Sequence, residues 1–297
     1  MRNYIEMIEN CENNGEGVYD DLIEDYSEML IGSGNRKEMV NMDCSEGGYF
    51  YGYDMKESSF RIYDFLCENP IVVRVFPQFL NVGLALWVDG LVEIEYIIAN
   101  LESFERKNIV ELGSGIGLVG LFLMNILKET GRITMTDYLD CVLENCSYCC
   151  ELNNIPHKVY NSEYIYLKED KSSKNENSNL HVMKLDWMNF TEQDIELLKD
   201  TDILIAADVA YDSSVIPGLC DVTQQLFNRN RNLIILFAIT KRNEKTFEYF
   251  VSEMEKRDMV VSKEISTTDL PQLFMIEDRT TVRLFEMKGR NNIPHDQ

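Results

Sequence analysis

The sequence predicts an α/β fold: a doubly wound, mostly parallel sheet of seven strands with an antiparallel hairpin at one edge. Three observations carry that expectation. Short β-branched runs alternate with stretches of helical period from residue 101 almost to the end. A turn with three glycines stands where the first of those strands gives way to its helix. The last two strands have no helix between them, which antiparallel pairing permits and parallel pairing does not.

Ahead of the alternation, FRIYDFL and IVVRVF read as strands, with Pro70 between them and Pro77 closing the second. In LALWVDGLVEIEYIIANL, Leu84, Trp87, Leu91, Ile94 and Ile98 recur at helical spacing, so one amphipathic helix is expected there. The alternation runs as strand Asn108–Leu112, helix Leu118–Lys128, strand Arg132–Thr136, helix Leu139–Asn153, strand Val182–Leu185 and helix Thr191–Lys199. Thr191 and Asp194 form a capping box at the start of that last helix. Strand Asp202–Ala206, helix Val215–Phe227, strand Leu233–Ile239 and helix Glu244–Lys256 follow, then strands near Val260–Ile265 and Thr281–Met287. These divide into residues 54–100, two strands and a covering helix, and a core over 101–288. The polar run KEDKSSKNENSN (168–179) is expected to be a flexible loop, and 289–297 a disordered tail.

With 297 residues, 45% hydrophobic and 10% aromatic, the chain can bury a sizeable core. Its 28 Lys and Arg face 51 Asp and Glu, a formal net charge of −23. Such a balance argues against direct binding of nucleic acid through its phosphates and suits a basic, lysine-presenting protein segment. Residues 1–60 carry 14 acidic and 4 basic side chains among scattered Gly and Asn. Residues 1–53 are therefore expected to form an acidic, largely disordered arm, with a short acidic helix over Asp20–Leu30 as the alternative. No run of eighteen apolar residues predicts a membrane span, and MRNYIEMIENCENN predicts neither a secretory signal nor a transit peptide. The eight cysteines lack a repeating spacing and read as reduced thiols of the nucleus or cytoplasm, in a monomeric protein.

The glycine turn, Glu111-Leu-Gly113-Ser114-Gly115-Ile-Gly117, allows close backbone approach of a ligand to a helix N-terminus. Alone it also fits a nicotinamide or flavin dinucleotide. Glu111 speaks against a pyrophosphate, because like charges would meet, and for a positively charged group such as an α-ammonium. Asp137 ends the next strand, 24 residues after Gly113, where an acidic side chain accepts from a ribose diol. An amino-acid end, a ribose and no phosphate together describe S-adenosyl-L-methionine.

These residues, with Leu185-Asp186-Trp187 and Ala206-Ala207-Asp208-Val209-Ala210-Tyr211, resemble the Rossmann-like, seven-strand (class I) methyltransferases. They are most similar to the protein-lysine methyltransferases marked by an Asp/Glu-x-x-Tyr motif, here Asp208 to Tyr211. The similarity spans about Phe60 to Met287. Val82–Trp87, Lys241–Arg242 and Leu270–Phe274 resemble first the methyltransferase-like-twenty-two subfamily, which acts on the Kin DNA- and RNA-binding protein. Second comes the subfamily that acts on translation elongation factor two, which Thr240–Thr246 resembles.

The resemblance implies that Glu111, Gly113, Ser114, Gly115 and Gly117 hold the methionine end of the cofactor and Asp137 the ribose. It implies that Asp186 accepts from the adenine amino group, Trp187 covers the ring, Trp87 packs near the methionine end and Ala207 adds to the pocket. Either tryptophan could instead be core. Asp208 and Tyr211 become the catalytic pair: a carboxylate to orient the lysine nitrogen, a phenol to wall the channel. Asp208 could also be a helix N-cap. Gln78, Asn81 and Lys241 are further candidate substrate contacts. A small-molecule methyltransferase and a non-catalytic scaffold of the same fold remain alternatives.

No metal is expected. Cys146, Cys149 and Cys150 share helical spacing with Leu139, Val142, Leu143 and Asn153, which makes them one buried face rather than a zinc site. The three histidines, 157, 181 and 295, have no nucleophile beside them in a recognisable motif.

Overall fold

A computed structural model describes residues 49–50, 53–54, 58–63, 70–78, 80–160 and 178–290. The expected acidic arm falls outside them apart from three residues, as do most of the 168–179 loop and residues 291–297.

The strands are β1 (Tyr49–Phe50), β2 (Tyr53–Asp54), β3 (Ser59–Tyr63) and β4 (Ile71–Val75), then β5 (Ile109–Leu112), β6 (Ile133–Asp137), β7 (His157–Tyr160) and β8 (Leu180–Lys184). β9 (Ile203–Ala207), β10 (Ile234–Thr240), β11 (Met259–Ile265) and β12 (Val282–Gly289) complete them. The helices are α1 (Val88–Ala99), α2 (Leu101–Phe104), α3 (Leu118–Ile126), α4 (Asp140–Leu152), α5 (Glu192–Leu197), α6 (Ile216–Arg229) and α7 (Glu244–Glu255).

Eight strands form the central sheet in the order β11-β12-β10-β9-β5-β6-β8-β7. All neighbours are parallel except β12, which runs antiparallel to both β10 and β11. The seven expected strands are present, and β7 is an eighth, paired through His157–Leu180 at the far edge. β12 extends through Gly289, the first residue of the expected tail, so that residue belongs to the sheet. β1 with β2, and β3 with β4, form separate antiparallel pairs.

The central strands are apolar on both sides because helices cover both faces. Ile203 and Ile205 pack with α1, α3 and α4, while Leu204 and Ala206 pack with α6 and α7. Cys146, Cys149 and Cys150 are fully buried in the first of these layers. Among the described residues, no group of His, Cys, Asp or Glu is arranged to hold a metal ion, and no helix is long and apolar enough to cross a membrane.

One expectation needs correction. The helix expected from Leu84 begins at Val88; residues 82–84 make a 3-10 turn, and Trp87 stands extended just before α1. Two local bonds fix this: the Asn81 carboxamide accepts from Gly83 N (2.8 Å), and Trp87 Nε1 donates to Val82 O (2.8 Å). The indole is thereby folded back over the turn.

α1 also buries acids that an amphipathic reading would turn outward: Asp89, Glu93 and Glu95. Glu95 accepts from Leu273 N and Phe274 N, at 2.7 and 3.0 Å, and from both guanidinium arms of Arg279. It thus ties the 270–274 segment to the helix that covers the site.

The β3–β4 pair is fastened by Asn153, which follows α4. Its carboxamide accepts from Val72 N (2.8 Å) and donates to Val72 O (2.7 Å), pairing the edge of β4 that faces away from β3. Asn153→Ala leaves two backbone groups of β4 unpaired. Urea denaturation should show a loss of about 1–3 kcal/mol.

Candidate active site

The strand order reverses at β5. β6 lies on one side of it and β9 on the other, so a crevice opens at their carboxyl ends. A cavity of about 390 Å³ occupies that place. The glycine turn, Trp87, Trp187, Asp208, Tyr211 and Arg242 line it, with Glu111 at its base.

The glycine turn takes left-handed backbone at Gly113, Gly115 and Gly117, with φ of 68°, 53° and 79°. At Gly113 a Cβ would also lie 2.9 Å from Val209 and 3.4 Å from Trp187. Gly117, by contrast, faces away from the cavity, where a Cβ would meet Cys146 Sγ at 2.6 Å. Ser114 N donates to Thr136 O (2.8 Å), and the hydroxyl reaches the same oxygen (3.2 Å), tying the turn to β6. Gly113→Ala places a methyl in the cavity on backbone it strains. Calorimetric titration with S-adenosylhomocysteine should show affinity lowered by about tenfold or more, in line with the ~1–2 kcal/mol cost of that backbone for an L-residue.

Glu111 is buried, and its Oε2 has no hydrogen-bond partner. Burial first, and the charge of Asp137 second, push its pKa up to about 8 against the bond it receives from the Gly120 backbone. Fully buried Glu93 stands behind it, held well above the carboxylate range by burial and by Glu111 against a bond from the Ala206 backbone.

Asp137 sits under the turn rather than in the cavity wall. Its carboxylate accepts from Tyr138 N (2.8 Å), Leu139 N (3.3 Å) and, with a long bond, Gly115 N (3.4 Å). Burial outweighs these bonds and raises its pKa to about 6.

Trp187 lines the cavity with its Nε1 buried and unpartnered. Asp186 does not line it. Its oxygens accept from Met188 N (2.9 Å) and Asn189 Nδ2 (2.8 Å), a local turn that draws the carboxylate off the wall. The adenine contact implied for Asp186 is therefore not prepared in this structure.

β9 ends at Ala207, in the wall, and Asp208 follows with φ 56°, a strained value for a residue other than glycine. Asp208 N donates to Ala238 O (2.8 Å). Asp208 is not a helix cap, since α6 begins only at Ile216 and Asp212 accepts from Ser214 N instead. Its oxygens face both guanidinium arms of Arg242, one at 2.7 Å, and Arg242 stacks 5.0 Å from the centroid of Trp87. Tyr211 is half-exposed at the cavity mouth, its hydroxyl raised by burial and then by Tyr138 and nearby carboxylates.

The structure thus gathers Trp87, Glu111, Gly113, Ser114, Gly115, Trp187, Ala207, Asp208 and Tyr211 around one space, and leaves Gly117, Asp137 and Asp186 beside it. Lys241 pairs with Glu244 and Asn81 caps a turn, while Gln78 is exposed. Sequence reading missed Arg242 as a site residue and Asp89 behind it. Arg242 follows β10 at the carboxyl end of the sheet, a position that could have marked it; nothing in the sequence marks Asp89.

The lysine methyltransferase family matches residues 77–257, from the segment ahead of α1 through the end of α7. The chain belongs to that family. An uncharacterised Dictyostelium discoideum protein is 29% identical over 216 residues, 69% of this chain and 59% of that one. Human protein-lysine N-methyltransferase EEF2KMT is 26% identical over 211 residues, again 69% and 59%. The Saccharomyces cerevisiae protein-lysine N-methyltransferase EFM3 is 23% identical over 257 residues, 82% and 66%. The matches to the first two span about three-fifths of those relatives' own length. Among solved structures, a Streptococcus mutans protein described as a SAM-dependent methyltransferase matches with a TM-score of 0.46 and 14% identity, over 81% of this chain and 58% of that one.

S-adenosylmethionine is the cofactor of this lysine methyltransferase family. The cavity suits it: an unpartnered buried carboxylate oxygen at Glu111 for an ammonium, and an unpartnered indole N–H among apolar walls for the adenosine end.

Proposed function

We propose that the protein transfers methyl groups from S-adenosylmethionine to a lysine side chain of a protein. One observation supports this above others: Asp208, strained and oriented by Arg242, lies in the wall of a cavity that Tyr211 also lines and that contains Glu111, one of whose oxygens has no partner.

Glu111 takes the α-ammonium of the cofactor and Asp137 its ribose, while Trp87 and Trp187 supply apolar walls. S-adenosylmethionine, when bound, supplies a methyl group activated by a sulfonium. The protein has little bond chemistry left to do, and its contribution is position. Asp208 accepts from the lysine nitrogen and turns its lone pair inward. Tyr211 narrows the channel. The proton that the lysine sheds passes to water.

The named relatives favour translation elongation factor two as the substrate over the Kin DNA- and RNA-binding protein, reversing the order that the sequence motifs suggested. The net charge of −23 would draw in a basic segment, an attraction that added salt should weaken.

The test is titration of the full chain with S-adenosylhomocysteine, then transfer of labelled methyl to purified elongation factor two and to the Kin protein. Saturable binding and label on a lysine of either protein are expected. Failure of the folded chain to bind S-adenosylhomocysteine would overturn the reading. Binding with label only in small molecules would overturn its protein-substrate half.

A further inference from the structure

Asp208 is almost wholly buried, yet its partner is not: the Asp208 side chain is 5% exposed and that of Arg242 43%. The guanidinium is held on two sides, its edge along both oxygens of Asp208 and its face over Trp87. Behind the pair, Thr240 Oγ1 donates to both oxygens of buried Asp89, at 2.8 and 3.0 Å.

We propose that Arg242 is a positioning residue for the methyl acceptor: its fork fixes the plane of Asp208, and its charge favours an ionised Asp208 facing a neutral lysine amine. The inference rests on the lysine methyltransferase reading above.

A carboxylate offers about four lone-pair sites, and a bidentate guanidinium fork takes one on each oxygen. The remaining sites can accept from an amine N–H. A neutral amine fits, keeping its lone pair free. An ammonium would set a second full positive charge beside the guanidinium and has no lone pair to offer. Two protons must therefore be absent from the reactive state, one from Asp208 and one that the lysine gives to water. A fixed positive charge favours both losses.

The other facing groups do not do this. Asp89, on α1, is pushed to about 7 by burial and then by Asp208, so its charge works in the opposite sense. Glu111 and Asp137, across the cavity, are negative when ionised, as is Asp212 beside Tyr211 and Tyr138. Lys241 is held by Glu244.

The experiment compares the full-length wild type with Arg242→Gln and Arg242→Lys. First, the Asp208 side-chain carboxyl is titrated by carbon-13 NMR in ¹³C-aspartate-labelled protein, its resonance identified with Asp208→Asn. No substrate is needed. The midpoint should rise by about one pH unit or more in Arg242→Gln and stay near the wild-type value in Arg242→Lys. Second, methyl transfer to elongation factor two is followed against pH. The acid limb of kcat should move up by about one unit in Arg242→Gln, about tenfold slower on that limb. Arg242→Lys should keep the limb and lose kcat severalfold, because charge remains and the fork does not. An unmoved Asp208 midpoint in Arg242→Gln overturns the inference whatever the activity. So does an unmoved acid limb in a variant that still transfers. If the wild type transfers no methyl while the midpoint shifts, the functional reading has failed and the charge pairing has not.

Discussion

Asp208→Asn should lower methyl transfer by at least about 100-fold while leaving the affinity for S-adenosylhomocysteine within about threefold. The substitution preserves shape, so the cavity wall that Asp208 shares with Ala207 and Val209 remains. What goes is the charge and one of the two oxygens that face Arg242. The carboxamide would present its NH2 to one arm of the guanidinium, donor against donor, and the side chain would turn. Misplacing a reacting nitrogen by about 1 Å costs on the order of 100-fold, and the chemistry here has little other catalysis to compensate. Cofactor affinity should survive because Glu111 and the glycine turn grip a different part of the cavity. Folding should survive too, since burial already raises the pKa of Asp208 and the neutral amide avoids that cost. Single-turnover transfer of labelled methyl and calorimetric titration give the two numbers. Transfer at the wild-type rate would remove Asp208 from the reaction.

The parts of this site that were legible in the sequence are those whose chemistry is local. The glycines announce left-handed backbone, Glu111 and Asp137 stand at the ends of strands recognisable as apolar runs, and Asp208 and Tyr211 keep a fixed spacing after a third. Elements with long apolar runs, β9 and β10 above all, were equally plain, because strands buried on both faces need nothing else.

What was hidden depends on tertiary partners. Asp89, Glu93 and Glu95 are charged residues on a helix whose apolar spacing placed them toward water; Thr240 and Arg279 hold the first and last of them inside, and Glu93 is fully buried between. Arg242 looks like one more basic residue after a strand until Trp87 and Asp208 close around it. Trp87 fitted the period of α1 and yet precedes it, because its indole N–H found Val82 O. The four residues of β7, each half-buried at the sheet edge, carry too short a pattern to stand out. Asp186 kept its expected strand-end position but spent its carboxylate on its own turn, through Met188 N and Asn189 Nδ2.

The same buried acids give the ligand-free protein a pH dependence that the cofactor should cancel. Asp137, Asp89 and Glu111 hold their protons to about 6, 7 and 8, all above their ordinary values and chiefly through burial. A folded state that binds protons more tightly than the unfolded chain is stabilised at low pH, and that stability is lost as pH rises through the folded pKa. His181 acts in the opposite sense: burial lowers it to about 4, so it favours unfolding as pH falls below about 6.5. The net decline should therefore begin near pH 4.5 and be simplest to assign between about pH 6.5 and 8.5, where His181 is neutral in both states and Glu111 gives up a proton that the unfolded chain has already lost. For Glu111 alone the full cost is on the order of 5 kcal/mol above pH 8. The melting temperature of the free protein should thus fall across that range, and Glu111→Gln should make the fall shallower, leaving the part that Glu93 and Asp89 contribute. Ligand reverses the sign, because an α-ammonium stabilises the ionised carboxylate. The rise in melting temperature caused by S-adenosylhomocysteine should grow from pH 6.5 to 8.5 in the wild type and be small and flat in Glu111→Gln. A variant both more stable when free and weaker at binding identifies a carboxylate held in reserve for a cation. Equal ligand shifts in the two proteins would instead assign Glu111 to the scaffold of the turn and leave the ammonium to be held elsewhere.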